Sequence, residues 1–420
     1  MNLKEILSSE RTRIAKKNIA IVFENYLRNR EKVFKELNVE ELKAKLKRIK
    51  EESISNLEKL KGKTVEKLKG RGIKVFEAKD SEEAKKILLE IIKEGEVVVK
   101  AKSNTINEID FDFGERNKVI ETDCGDFIVQ ICDEKPTHPV LPALHIPTEK
   151  IAEKINEKFR VKLKSPEEVA EWIKEYLKNE ILKADVGLTG ANAISSDGGI
   201  FILENEGNIS LVTRLPKKHV IIAGIDKIVF SAQDALVICQ AQAIWGVGNV
   251  LPTYINIISS PSKTADIEAK DILGMHGAKE IYLILLDNGR SEAIKNGFKE
   301  LLYCINCGSC LYFCPVYRQI FDKYGLKYFG GRGVGISAFI DGIEKAFTDG
   351  LYLCTTCSAC KENCPLEIDI PELMRKLRKK AIEVGLETEA NKRMVENVAA
   401  DGNPFGKIEE GKIPKELYCC

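Results

Sequence analysis

Cys304-Ile305-Asn306-Cys307-Gly308-Ser309-Cys310-Leu311-Tyr312-Phe313-Cys314-Pro315 and Cys354-Thr355-Thr356-Cys357-Ser358-Ala359-Cys360-Lys361-Glu362-Asn363-Cys364-Pro365 share one spacing letter for letter, C-x2-C-x2-C-x3-C-P. Three thiols at three-residue intervals wrap a loop around one face of an iron–sulfur cubane. The fourth lies too far along to close the same cage and reaches a second one. Proline after it fixes φ and leads the chain away. The spacing therefore predicts two [4Fe–4S] clusters that trade a ligand. Cys304, Cys307, Cys310 and Cys364 are expected on one, and Cys354, Cys357, Cys360 and Cys314 on the other. Structural zinc also uses paired C-x2-C elements. Two complete four-cysteine runs, each closed by proline, favour the cubanes.

The rest of the chain agrees with a soluble, cytoplasmic protein. Of 13 cysteines in 420 residues, eight fall within 304–364. In a cytosolic chain such crowding reads as metal ligands before disulfides. Lys+Arg total 65 and Asp+Glu 64, a net +1 that argues against a nucleic-acid partner. No apolar run reaches membrane-span length, so no transmembrane segment is expected. Lys4, Glu5, Glu10 and Arg11 interrupt the stretch where a signal peptide needs its apolar region.

Four regions follow from texture. Residues 1–69 read as helix throughout, with Ile19, Val22, Phe23, Tyr26 and Leu27 as a packed stripe, a cap docked on the next domain. From 70 to 290, strand-like runs at Ile73–Phe76, Val97–Val99, Phe127–Ile131, Ile200–Leu203, Val220–Ala223 and Ile281–Leu286 alternate with helices. Asp80 with Glu83, and Ser165 with Pro166 and Glu168, mark two helix starts. The class expected is α/β with a mostly parallel sheet. Residues 291–385 carry the cysteines. Their forty-residue spacer from Cys314 to Cys354 is long for a compact two-cluster ferredoxin, and a helix around Ile336–Phe347 favours an α-helical ferredoxin domain. Gly330-Gly331-Arg332-Gly333-Val334-Gly335 follows no strand and reads as a flexible helix entry, not a nucleotide loop. Residues 386–420 form a tail ending in Cys419-Cys420.

Several further motifs recur in an order that resembles the lactate-utilisation iron–sulfur proteins. They are Val99-Lys100-Ala101-Lys102-Ser103, His138-Pro139-Val140-Leu141-Pro142-Ala143-Leu144-His145, Ala184-Asp185-Val186-Gly187-Leu188-Thr189-Gly190, Asn205-Glu206-Gly207-Asn208, Asp287-Asn288-Gly289-Arg290-Ser291 and Cys314-Pro315-Val316-Tyr317-Arg318. The resemblance implies that 70–290 is a LUD domain, similar to sugar-phosphate isomerase and CoA-transferase folds. It also implies work beside a cysteine-rich redox subunit and a second LUD-type protein in oxidising L-lactate to pyruvate. Gly402-Asn403-Pro404-Phe405-Gly406 and the terminal Tyr418-Cys419-Cys420 are similar to a linker in heterodisulfide-reductase-like proteins, so a separate cysteine-rich partner is expected on this tail.

The function expected is an electron-transfer subunit of an organic-acid oxidoreductase. The rivals are a heterodisulfide-reductase-like complex and a ligand-binding or catalytic LUD domain with structural clusters. No flavin fingerprint is visible, so a partner must supply hydride chemistry, and no catalytic residue is assigned. Possible substrate-binding residues lie after strands, where open α/β sheets place ligands: Lys100, Lys102, Ser103, Asn104, Asn192, Asn205, Glu206, Asn208 and Arg214. The cations would neutralise a small carboxylate or phosphate. His138, His145, His219 and His276 lack metal spacing. Cys124, Cys132 and Cys239 read as buried small apolar residues.

Overall fold

Apolar runs rich in Val, Ile and Leu can sit only in strands covered on both faces. In the computed structural model, which describes residues 3–111, 113–408, 410–411 and 413–414, they form a six-stranded sheet. Its order is Lys74–Ala78, Glu280–Leu286, Lys218–Gly224, Val186–Thr189, Val98–Lys100, Val119–Glu121, and every pair is parallel. The two-residue period divides the side chains between two cores. Ile221, Ala223, Leu283 and Leu285 face one, and Val220, Ile222, Ile284 and Leu286 the other.

The expected helix starts hold. Asp80 accepts from the Glu83 N–H at 2.8 Å. Ser165 and Glu168 form a complete capping box with proline in the first turn of helix Pro166–Lys183. Three readings need correction. Phe127–Ile131 is not a strand: Cys124–Ile131 is a helix, capped by the Asp123 side chain on the N–H groups of Gly125 and Asp126. A five-residue apolar run cannot separate the two by pattern alone, and the cap decides. Ile200–Leu203 is a strand, but of a second, four-stranded mixed sheet, where it runs antiparallel to Tyr254–Ile258. The glycine run is no flexible entry. It forms the first turns of helix Gly330–Ile340, and the stretch beyond breaks at Gly342 (φ 98°) before helix Ile343–Thr348.

The N-terminal helices, Leu3–Ser8, Glu10–Glu36, Val39–Ser55 and Leu57–Gly70, do more than cap the α/β domain. Ala15, Ile19, Tyr26 and Val33 on the long helix share one core with Trp245 of the α/β domain and with Tyr312, Tyr317, Leu373 and Met374 of the cysteine-bearing region. Tyr26 stacks on Tyr312 at 4.6 Å between ring centroids, and its hydroxyl donates to the Trp245 carbonyl at 3.1 Å. Arg30 reaches Asn363 Oδ1 at 3.2 Å, and Arg11 pairs with Asp322 at 2.7 Å. Among the described residues no helix is long and apolar enough to cross a membrane. Cys419 and Cys420 lie outside the described residues.

Candidate functional site

Both cysteine runs take the same backbone path. A 3-10 turn (Lys299–Tyr303, Leu351–Leu353) leads into each, and a short helix (Ser309–Phe313, Ala359–Glu362) closes it. Between them the third and fifth residues of each run are left-handed: Asn306 (φ 58°) and Gly308 (φ 82°), then Thr356 (φ 52°) and Ser358 (φ 66°). Two such residues coil the loop tightly enough to turn successive N–H groups inward. The Asn306 N–H donates to Cys304 Sγ at 3.3 Å, and the Tyr317 N–H to Cys314 Sγ at 3.4 Å.

The thiols ring two small neighbouring cavities. Cys304, Cys307, Cys310 and Cys364 line one. Cys314, Cys354, Cys357 and Cys360 line the other, and Cys310 and Cys360 reach the wall between them. Burial, reinforced by neighbouring thiols, pushes Cys360 up to about 12. Burial also pushes Cys314 and Cys364 up to about 11, although backbone N–H groups pull the other way. Four thiolates can share such a space only if cationic iron replaces their protons. Among the described residues no three His, Cys, Asp or Glu side chains converge tightly enough for a single metal ion. A ring of sulfurs around a void suits a cubane, whereas tetrahedral zinc draws its ligands to a point.

Beside the first cavity, at the C-terminal ends of strands Val98–Lys100 and Val186–Thr189, lies a larger pocket. Lys102, Ser103, Asn104, Asn192, Asn205, Glu206 and Asn208 line it. Lys100 and Arg214 do not and must be set aside. Lys100 is spent on its cross-strand partner Glu121 at 2.5 Å, and Arg214 is exposed, donating to Asn256 Oδ1 at 2.8 Å. The sequence reading missed Asp123, Lys227, Gln242 and Asn306 in the lining, and missed that Cys307 walls both this pocket and the first thiol cavity. The cap pattern Asp123-Cys124-Gly125-Asp126 was the one local signal available; the other contacts are long-range. A hydrogen-bonded line joins the two spaces. Asn192 donates to Gln242 Oε1 at 3.1 Å, and Gln242 donates to the Ile305 carbonyl. Gly246 keeps the wall thin: a Cβ there would sit 3.1 Å from the Cys307 carbonyl oxygen.

Lys102 is paired at the edge of the pocket. Lys102 Nζ lies 2.9 Å from Asp123 and 3.6 Å from Asp126, and it donates to the Val140 carbonyl at 3.2 Å. His138 is fully buried and accepts from the N–H groups of Val140 and Leu141. Burial and then Lys102 push it down to about 3, so it is a neutral turn-former. Cys124 is half-buried at the start of its helix, unlike the fully covered Cys132 and Cys239. Burial raises Asp126 to about 7 against the pull of Lys102. The native state thus holds this proton more tightly than the unfolded chain. The stabilisation is complete below the unfolded value near 4 and is lost as pH rises through about 7. Asp126→Asn should match wild type only below about pH 4, and its advantage should be about 2 kcal/mol larger near pH 8 than near pH 5.5. Anaerobic thermal melts at both pH values would check this, and an equal offset at both would refute it.

A model of the LUD domain matches residues 62–286, and one of a 4Fe-4S dicluster domain matches residues 300–368. "Lactate utilization protein B" of Anoxybacillus flavithermus is 34% identical over 355 residues, 82% of this chain and 73% of that protein. The chain belongs to the lactate utilization protein B family. The Bacillus subtilis protein of that name is 33% identical over 82% of this chain and 72% of its own length. The "Uncharacterized electron transport protein YkgF" of Escherichia coli is 31% identical over 93% and 82%. As a member of the lactate utilization protein B family, the chain joins a LUD domain to a helical ferredoxin-type domain, and its cofactors are two [4Fe–4S] clusters.

Proposed function

We propose that this chain is the electron-transfer subunit of a cytosolic complex that oxidises a small organic acid, L-lactate to pyruvate. Cys304, Cys307, Cys310 and Cys364 hold one cluster, and Cys354, Cys357, Cys360 and Cys314 hold the other. The observation that carries this reading is Cys307, whose residue walls both the LUD pocket and the first thiol cavity. Electrons arriving at the pocket therefore have a covalent ligand of the first cluster as their next neighbour. The relatives' names, which speak of lactate utilization, support this choice of substrate.

The oxidation of lactate releases two electrons and two protons, and two clusters accept one electron each. The side-chain amides of Asn104, Asn192 and Asn208 in the pocket suit a carboxylate. The hydride step belongs to a partner, for which a cysteine-rich redox subunit and a second LUD-type protein are the candidates. Cys357 is exposed, which suits the second cluster as the end that meets an acceptor. A strain lacking the gene should fail to grow on L-lactate as sole carbon source. The wild-type gene should restore growth, and the Cys307→Ala version should not. Undiminished growth of the deletion strain would overturn the proposal.

A further inference from the structure

Arg332 lines both thiol cavities. Its side chain is 6% exposed, and neither Nε nor Nη1 has a hydrogen-bond partner. Among the described residues it makes no ion pair, in contrast to nearby Arg290, which is held by Glu108 and Asp226. The guanidinium lies over the Tyr328 ring, 4.2 Å from its centroid, which fixes its plane but satisfies none of its donors. A buried cation with idle N–H groups calls for an anion in the space it borders.

The surrounding backbone is built to bring it there. Helix Gly330–Ile340 begins with glycines where side chains would collide. A Cβ on Gly331 would lie 2.7 Å from Ile370, and one on Gly333 would lie 2.6 Å from the Gly325 carbonyl oxygen. Gly330 and Gly331 line the second cavity with Arg332, so the first turn also faces that space, although its Gly330 and Gly333 N–H groups are taken by the Tyr324 and Phe329 carbonyls. The glycine run is thus the means by which a helix start and an arginine come within reach of both sites.

We propose that Arg332, reinforced by the start of its helix, is a cation shared by the two clusters that raises the reduction potential of both. Each cluster gains one negative charge on reduction, and a fixed positive charge in a dry interior favours the more negative state. Arg332 is a positioning residue in this role and undergoes no chemistry. The inference rests on the ligand sets proposed above, and iron and sulfide analysis of the wild-type protein tests those sets separately.

The decisive experiment is an anaerobic redox titration of the cluster-loaded full chain, followed by EPR, for wild type, Arg332→Gln and Arg332→Lys. In Arg332→Gln the ratio of reduced to oxidised cluster at a given potential should fall at least tenfold for both clusters, 59 mV for a one-electron couple. Arg332→Lys, which keeps the charge, should stay within about threefold of wild type. Unshifted potentials in an iron-replete Arg332→Gln, or equal shifts in the two variants, would overturn the proposal. If Arg332→Gln loses its iron, full iron in Arg332→Lys supports the charge role. Two iron-free variants would assign Arg332 to packing and overturn it.

Discussion

Cys314→Ala, a change within the first cysteine run, should empty the cluster of the second run. The thiol of Cys314 lies in the cavity ringed by Cys354, Cys357 and Cys360, and Cys364 completes the ring of Cys304, Cys307 and Cys310. Each single variant should therefore lose about half of the iron and sulfide and keep one cluster. Pairing the variants shows which cluster is gone. Cys314→Ala combined with Cys357→Ala should lose no more iron than either alone, since both act on one cage. Cys314→Ala combined with Cys307→Ala should lose nearly all of it. Ligands confined to their own runs would give the reverse pattern, and metal analysis of the four proteins distinguishes the cases.

Arg290→Met should be the most damaging substitution outside the cysteines, at about 3–5 kcal/mol. The guanidinium is 1% exposed and forms a fork onto Glu108, at 2.9 and 2.5 Å, while Nε reaches Asp226 at 2.5 Å. Tyr328 donates its hydroxyl to the same Glu108, and Asn288 donates its side-chain amide N–H at 3.0 Å. Burial alone would raise the Asp226 carboxyl, but Lys227, Arg290 and Lys50 together hold it far below the ordinary range. Removing Arg290 strands the Glu108 carboxylate in the interior and takes one of three cations from Asp226, and most of the cost is that stranding. Glu108 and Asp226 belong to the α/β domain and Tyr328 to the cysteine-bearing region, so the network is also a clasp between the two. Anaerobic urea unfolding would measure the loss, and an unchanged midpoint would refute the account.

Legibility in the sequence followed the range of the interaction. The cysteine spacing exposed the cofactors because three ligands of a cubane lie within seven residues. The apolar runs Val220–Ala223 and Ile281–Leu286 exposed central strands because nothing else tolerates burial on both faces. Phe127–Ile131 misled because β-branched and aromatic residues also fill a short buried helix, and Asp123 carried the deciding information from outside the run. Lys100 and Lys102 look equivalent in the sequence. Pairing of strand Val98–Lys100 with Val119–Glu121 placed Glu121 against the first and left the second facing the pocket. The wall formed by Cys307 depends on contacts of Gln242 with Ile305 and of Gly246 with Cys307, some sixty positions apart, and no local pattern encodes it.

The long N-terminal helix also bears on how the chain is made. Its apolar stripe leaves the ribosome well ahead of Leu373, Met374, Leu377 and Ala381, which belong to the same core. At roughly 5–20 residues per second, that stripe waits roughly 20 to 70 seconds for its partners. The α/β domain can close in the meantime around its own cores, but the core shared by the long N-terminal helix cannot. Insertion of iron and sulfide into both sites thus waits until Cys364 has emerged, and a nascent chain stalled before residue 381 would expose a sticky surface to chaperones and proteases.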